Sequence, residues 1–473
     1  MTTHSLTLRE DQKQELAALL HRGDGHEHAA YLVCRRVRAR RDPWDREAHT
    51  KFLVTRIVPV PDDDVVESGP SIITWRTVSF VRLLRETAGT GEVVAIIHSH
   101  GAGIDFFSAQ DDANEPDLVQ LALNRNGEGT EILSLILTAD GIMRGRLWFA
   151  PRADGHVPLR MIRVIGKRIV LHCTGRNAHL SLPSLARQAL AFGDAFNADL
   201  RTLRIGIVGC GGTGSAVVQL LARLGVGQLV LIDNDIVDRT NLDRLHGARQ
   251  SDADAMRPKV DVVAEAVTSM GLGVRVVPIE GWVGDPGCRD ALRSCDIIFG
   301  CTDDHDGRLL LNRFAYYYLT PVIDVGLAIE VGPEEAPTIL AMDARVTVLS
   351  PGETCLSCRG VITPETARGE SLRRRNPEDY EQRKREAYVA GEGNPAPSVV
   401  TFTTEAACMA VNELIQRLQG FRGPEGSASN RVRKLHLSED RFPGHKSIET
   451  CPVCGSRDCW GRGDVEPFLD RVG

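Results

Sequence analysis

Apolar and polar positions follow one spacing in the first third of the chain and another in the rest. Apolar residues at helical spacing predict an amphipathic helix over residues 7–22. Strand-like apolar runs follow at 29–37 and 52–60, a helical pattern at 75–86, and a buried strand at 92–98 that enters a glycine-rich loop, 100–108. Helix and strand patterns continue to about residue 150; the mixed stretch 151–183 contains one predicted strand, 165–172, and then a polar, serine-rich segment. This composition change sets an expected domain boundary near residue 180. From 203 onward, short apolar runs at 203–208, 228–232, 274–278, 296–300 and 322–325 alternate with helical patterns, of which 213–224 is the clearest. Such alternation predicts a largely parallel, doubly wound sheet. Residues 360–397 are highly charged, include RRR and EQRKRE, and hold few apolar residues, which predicts a mobile surface loop.

Length and composition narrow the class. A chain of 473 residues has room for two or three domains. Apolar residues at 42% and charged residues at 25% are ordinary for a globular protein. The net charge of −7 gives no overall bias toward nucleic acid or anionic membrane. The N-terminus is polar, unlike a signal or transit peptide, and no apolar run reaches the ~18 residues of a membrane span. A soluble cytoplasmic protein is the expectation. In that setting the 12 cysteines suggest metal ligands where they pair at close spacing, rather than disulfides.

The N-terminal part carries His98-Ser99-His100, seven intervening residues, Ser108, and then Asp111. Histidines two apart at a strand end project to one side, and two imidazoles with one carboxylate make a three-ligand zinc set with an open fourth position. Gly101 and Gly103 permit a sharp bend between them. This H-x-H, x7, S-x-x-D pattern resembles the signature of the JAB (JAMM, MPN-plus) metalloprotease family, which cuts after the C-terminal tail of ubiquitin-like proteins. The resemblance implies zinc ligation by His98, His100 and Asp111 and an oxyanion-holding role for Ser108. It also implies that Glu27, just before the strand at 29–37, is the general base. His26 and His28 read as exposed neighbours, and Asp112 as a decoy beside Asp111.

The second part opens on Gly209-Cys210-Gly211-Gly212-Thr213-Gly214, a G-x-G-x-x-G turn between strand and helix, with Asp233 closing the next strand. Glycines let backbone approach phosphate at a helix N-terminus, and a carboxylate there can bind ribose hydroxyls. Further on lie Asp235, Asn241, Arg244, Lys259 and Cys301-Thr302-Asp303-Asp304. Cations with a carboxylate suit a triphosphate and magnesium, which a hydride-transfer site does not need. The ensemble, from about 186 to 460, resembles the ubiquitin-activating family and its ThiF/MoeB-type sulfur-carrier relatives. It implies ATP ribose binding by Asp233, phosphate contacts from Asn241, Arg244 and Lys259, and magnesium at Asp303. It also implies an arginine finger at Arg187 that acts across a homodimer.

Cys355-x-x-Cys358 and Cys451-x-x-Cys454 can close one tetrahedral structural zinc site, and the bacterial relatives carry the same pairs. No cysteine lies between Arg359 and Thr404, where thioester-forming members place theirs; Cys408 reads as a buried core residue, as do Cys210 and Cys301, with Cys459 a bystander. The expectation is an α/β chain with a JAB/MPN-type zinc peptidase at 1–180 and a Rossmann-like, doubly wound adenylating domain with a four-cysteine zinc site at 181–473. The implied function is bifunctional: peptidase or isopeptidase action at the C-terminus of a ubiquitin-like protein, and ATP-dependent adenylation of that C-terminus. The alternative is sulfur-carrier processing and activation. Implied partners are the small carrier protein and a ubiquitin-conjugating-type acceptor.

Overall fold

The computed structural model describes residues 3–175, 182–332, 338–385 and 397–471, so the expected boundary near 180 lies outside the described residues. The chain divides into two compact units, one of Met1–Arg40, Glu47–Arg176 and Trp460–Gly473, the other of Arg41–Arg46 and Asn177–Cys459.

The first unit holds strands β1 (Thr3–Arg9), β2 (Ala29–Ala39), β3 (His49–Pro59), β4 (Val65–Gly69), β5 (Ile72–Trp75), β6 (Glu92–His100), β7 (Ile132–Thr138), β8 (Met143–Trp148), β9 (His156–Pro158), β10 (Met161–Ile165) and β11 (Ile169–Cys173). Nine of them form a sheet in the order β11-β10-β1-β3-β2-β6-β7-β8-β9, and β4–β5 is a separate hairpin. Both sheet faces are covered, which explains the near-continuous apolar runs of β2 and β6. Period-two alternation sends Leu32, Cys34, Ala95 and Ile97 to one core, with Leu16 and Leu20 of the helix Glu10–Leu20. The alternate residues Tyr31, Val33, Val94 and Ile96 join a second core with Phe80, Leu83 and Leu84 of the helix Val78–Thr87 and Val119 and Ala122 of the helix Ala109–Asn126.

Two expectations change here. The helix expected from residue 7 begins at Glu10, because Leu6 and Leu8 belong to β1, which runs parallel between β10 and β3. The single strand expected at 165–172 is an antiparallel pair, β10 and β11, folded back between Ile165 and Ile169.

The second unit holds β12 (Arg204–Val208), β13 (Gln228–Asp233), β14 (Arg275–Glu280), β15 (Ile297–Gly300), β16 (Val322–Val331), β17 (Ile339–Leu349), β18 (Asn430–Lys434) and β19 (Glu439–Arg441), in the order β14-β13-β12-β15-β16-β17-β18-β19. The first five are parallel and the last three antiparallel. The chain winds outward from β12 through β13 to β14 and then crosses back to β15. The crevice at the carboxyl ends of β12 and β15 is therefore the switch point where such sheets bind ligands.

The loop expected at 360–397 is largely helical, with helices at Pro364–Arg375 and Pro377–Arg385; residues 386–396 lie outside the described residues. Its charges are engaged. Arg374 pairs with Asp306 and stacks 3.4 Å from the Trp282 ring centroid, while Glu370 accepts the Asp306 N–H at 2.9 Å. Among the described residues no helix is long and apolar enough to cross a membrane.

Candidate active sites

In the first unit, β6 ends at His100, and the helix Ala109–Asn126 starts after the intervening glycine-rich loop. The Nε2 atoms of His98 and His100 lie 3.0 Å apart, and Asp111 carboxylate oxygens lie 3.1 Å from His98 Nε2 and 3.7 Å from His100 Nε2. One ligand atom from each residue fits within 4.8 Å of the others. Nδ1 of His100 bonds the Ile104 carbonyl at 3.1 Å, which fixes that nitrogen as the protonated one and leaves Nε2 free to ligate. Two imidazoles and a carboxylate at this spacing fit a zinc ion with a vacant coordination position.

Ser108 is the N-cap of the helix. Its hydroxyl donates to Asp111 Oδ2 at 2.8 Å and its backbone N–H donates to the same oxygen at 2.6 Å, while the Asp111 N–H returns to Ser108 Oγ at 3.2 Å. Ser108 therefore aims the Asp111 carboxylate as well as standing at the site. Burial works against ionised Asp111, but the His98 and Ser108 hydrogen bonds hold its carboxyl well below the usual range. Glu27 lies just before β2. The β4–β5 hairpin holds its backbone, with Glu27 N–H on the Gly69 carbonyl and the Ser68 hydroxyl on the Glu27 carbonyl, both at 2.8 Å. Burial pushes the Glu27 carboxyl up to about 7, with His98 pulling it down and Asp111 pushing it up. His26 is exposed, His28 pairs with Asp24 at 3.0 Å, and Asp112 pairs with Arg146 at 2.5 Å.

One group near this site was missed in the sequence. Glu115, on the same helix, is buried and accepts hydrogen bonds from Ser134, Arg146 and Trp148. The available signal was Arg146, an arginine at an inward position of β8 next to Leu147 and Trp148, and an acid four residues after Asp111.

In the second unit, the loop after β12 packs on the loop after β15. Gly209 has φ of 91° and would carry a Cβ 2.7 Å from the Cys301 carbonyl, and a Cβ at Gly214 would meet the Gly209 oxygen at 1.8 Å. Only glycine fits either position. Nothing lies within 4 Å of a Cβ on Gly211, so the backbone is open there at the head of the helix Gly212–Leu224. Arg244 lies across that head, its Cδ 3.3 Å from the Cβ position of Gly212. Asp233, at the end of β13, accepts the Cys210 N–H at 2.5 Å and the Asp235 N–H at 2.8 Å, and burial raises its carboxyl. Lys259 Nζ sits 2.7 Å from Asp235, and buried Asn241 accepts the Asp238 N–H at 3.2 Å. Asp303 is exposed beyond β15, without a hydrogen-bond or ion-pair partner among the described residues, while its neighbour Asp304 caps the helix His305–Tyr317.

The four cysteines 355, 358, 451 and 454 converge, with Sγ–Sγ distances of 3.8 Å for Cys355–Cys451 and 3.6 Å for Cys358–Cys454. Arg359 braces them, its guanidinium reaching the Thr354 carbonyl, the Pro443 carbonyl and Ser429. Four sulfurs so placed fit a closed structural zinc site. Cys459 is buried and lies outside that group.

A family model described as the ThiF family matches residues 185–455, more than half of the chain. The chain belongs to the ThiF family. A second model, described as prokaryotic homologs of the JAB domain, matches residues 9–148. The ThiF part is similar to the SAMP-activating enzyme E1 of Haloferax volcanii, with 29% identity over 35% of this chain and 56% of that protein. It is similar to the molybdopterin-synthase adenylyltransferase of Escherichia coli, with 32% identity over 36% of this chain and 63% of that protein. It is also similar to the sulfur carrier protein ThiS adenylyltransferase of Escherichia coli, with 25% identity over 53% of this chain and 84% of that protein. The chain thus spans about six-tenths of the length of the first two.

The ThiF part brings the glycine loop, Asp233 and Arg244 to the switch-point crevice. Arg187 is exposed on the helix Ala186–Phe192 and makes no hydrogen bond or ion pair among the described residues. Cys408, expected in the core, is only partly buried on the helix Val400–Gln419, where neighbouring Ala406, Ala407, Met409 and Ala410 take the inward positions. Cys210 is fully buried as expected, whereas Cys301 is partly exposed at the crevice.

Proposed function

We propose that the chain is a two-headed enzyme of a ubiquitin-like or sulfur-carrier pathway. One head adenylates the C-terminal carboxylate of a small carrier protein, and the other is a zinc peptidase acting at that same tail. The observation that carries the reading is the pairing of a ThiF glycine loop, open at Gly211 beneath Arg244, with a complete His98–His100–Asp111 set on the same chain.

In the adenylating head, a carboxylate oxygen of the carrier attacks the α-phosphorus of ATP; the bond to the bridging oxygen breaks and pyrophosphate leaves. Backbone N–H groups at the head of the helix Gly212–Leu224 and the cations Arg244 and Lys259 offset phosphate charge, Asn241 hydrogen-bonds it, and Asp233 orients the ribose. Asp303 would hold magnesium, which supplies charge neutralisation on the phosphates. Arg187 would complete the site from the partner of a homodimer.

In the peptidase head, His98, His100 and Asp111 would hold zinc, which supplies Lewis acidity at neutral pH. Glu27 takes a proton from the attacking water and delivers it to the leaving amine, a task suited to a carboxyl near 7. Ser108 stands beside the reacting carbonyl and aims Asp111. The adenylating half is tested by ATP–pyrophosphate exchange that depends on a small protein with a free C-terminal glycine carboxylate. Exchange driven by free amino acids, or none with any such protein, would contradict it.

A further inference from the structure

We propose that Arg146 is a positioning residue for the metal triad, clamping the first turns of the helix that delivers Asp111; this rests on the peptidase reading above. Two of the triad residues lie on β6, which is fixed in the middle of a nine-stranded sheet. The third comes from the start of the helix Ala109–Asn126, whose first seven residues, Ala-Gln-Asp-Asp-Ala-Asn-Glu, carry no large apolar side chain. Apolar packing against the sheet begins only at Leu118 and Val119. Between these two portions stands Pro116, which has no N–H to give to the Asp112 carbonyl. The turn that carries Asp111 is therefore joined to the body of its helix with one ladder bond missing, and packing cannot hold it.

Arg146 ties that N-terminal portion to the sheet. It lies on β8 directly opposite Ser134 of β7, on the sheet face shared with His98. Its Nη1 reaches Asp112 at 2.5 Å and its Nε reaches Glu115 at 2.9 Å, so it holds both acids of the portion that precedes the proline. Its guanidinium also lies 3.9 Å from the ring centroid of Phe107, next to the N-cap Ser108. Arg146 and Glu115 are 4% and 6% exposed, so this pair is screened little by solvent. Ser134 donates to Glu115 Oε1, and Trp148 donates to the same Oε2 as Arg146. A planar fork can grip both acids at once, which a lysine cannot.

The test compares wild type with Asp112→Ala, Arg146→Lys and Arg146→Gln in the full chain. Metal at the triad is read by zinc competition against a chelator and by the visible spectrum after cobalt substitution, with the four-cysteine zinc as internal control. Asp112 is largely exposed on its side chain, so its loss spares the fold. Asp112→Ala and Arg146→Lys are expected to weaken triad zinc about 10–100-fold and to alter the cobalt spectrum, as loss of groups that orient ligands does, while the four-cysteine zinc stays bound. Arg146→Gln is expected to weaken it more than Arg146→Lys. Wild-type affinity and spectrum in Asp112→Ala and Arg146→Lys would overturn the proposal, and so would parallel loss of both zinc ions, which would make the role one of folding. A wild type that binds zinc only at the cysteines would instead be a failure of the peptidase reading itself.

Discussion

Ser108 and Asp111 hold each other: the Ser108 hydroxyl and N–H both bond Asp111 Oδ2, at 2.8 and 2.6 Å, and the Asp111 N–H bonds Ser108 Oγ. Asp111 thus belongs both to a capping box with Ser108 and to the candidate metal set with His98 and His100.

Metal content separates the two sites. The purified chain is expected to carry about two zinc ions, as one closed and one open ligand set would bind. His98→Ala with His100→Ala should remove one and leave thermal unfolding of the ThiF part unchanged. Cys355→Ala with Cys451→Ala should remove the other and lower that unfolding temperature, because structural zinc contributes to folding directly. Metal analysis and calorimetry read both effects.

Glu27→Ala is expected to cut cleavage of a tail-extended carrier by roughly 10²–10⁴-fold with zinc still bound. The active form of Glu27 is the carboxylate, so activity should fall as pH drops. Its carboxyl stands at about 7 before metal is counted, and a nearby dication lowers it further, so the acid limb should lie at or below neutrality. Steady-state rates across pH check this, and an unchanged limb in the Glu27→Ala variant would assign it to another group.

Much of this was legible in short stretches of sequence. The H-x-H and S-x-x-D spacings, the glycine loop and both C-x-x-C pairs are local, and the residues of the two cysteine pairs and of the His–His–Asp group converge in space. What was missed is held by distant charges. Arg146 and Glu115 are separated by 31 positions and meet only across β8 and the helix. The helix Pro364–Arg375 was read as a loop because it has almost no apolar face; pairs such as Arg374–Asp306 fasten it instead. β1 was absorbed into the following helix because Leu6 and Leu8 alternate immediately before it.

Asp303→Ala and Arg187→Ala are each expected to suppress ATP–pyrophosphate exchange and leave peptidase activity intact. Arg187 is exposed and without a partner in its own chain among the described residues, which suits a group that reaches across a dimer. Mixing the two variants should restore part of the exchange by forming one complete site. No recovery in verified heterodimers would contradict an Arg187 that acts across the dimer.

No stable thioester on the chain itself is expected, because no cysteine lies between Arg359 and Thr404 and burial raises the Cys408 thiol. The acyl adenylate would pass directly to an external acceptor. A non-reducing gel after incubation with ATP, magnesium and carrier checks this; a thiol-sensitive adduct lost in Cys408→Ala would contradict it.

The most direct measurement of the central claim is intact-mass spectrometry of a small carrier protein extended by a few residues past its terminal glycine. It is incubated with the full chain, ATP and magnesium. The account predicts loss of the extension, blocked by Glu27→Ala, and formation of an adenylate on the exposed glycine, blocked by Asp303→Ala. A carrier recovered uncut and unadenylated, or altered identically by both variants, would contradict two heads acting on one tail.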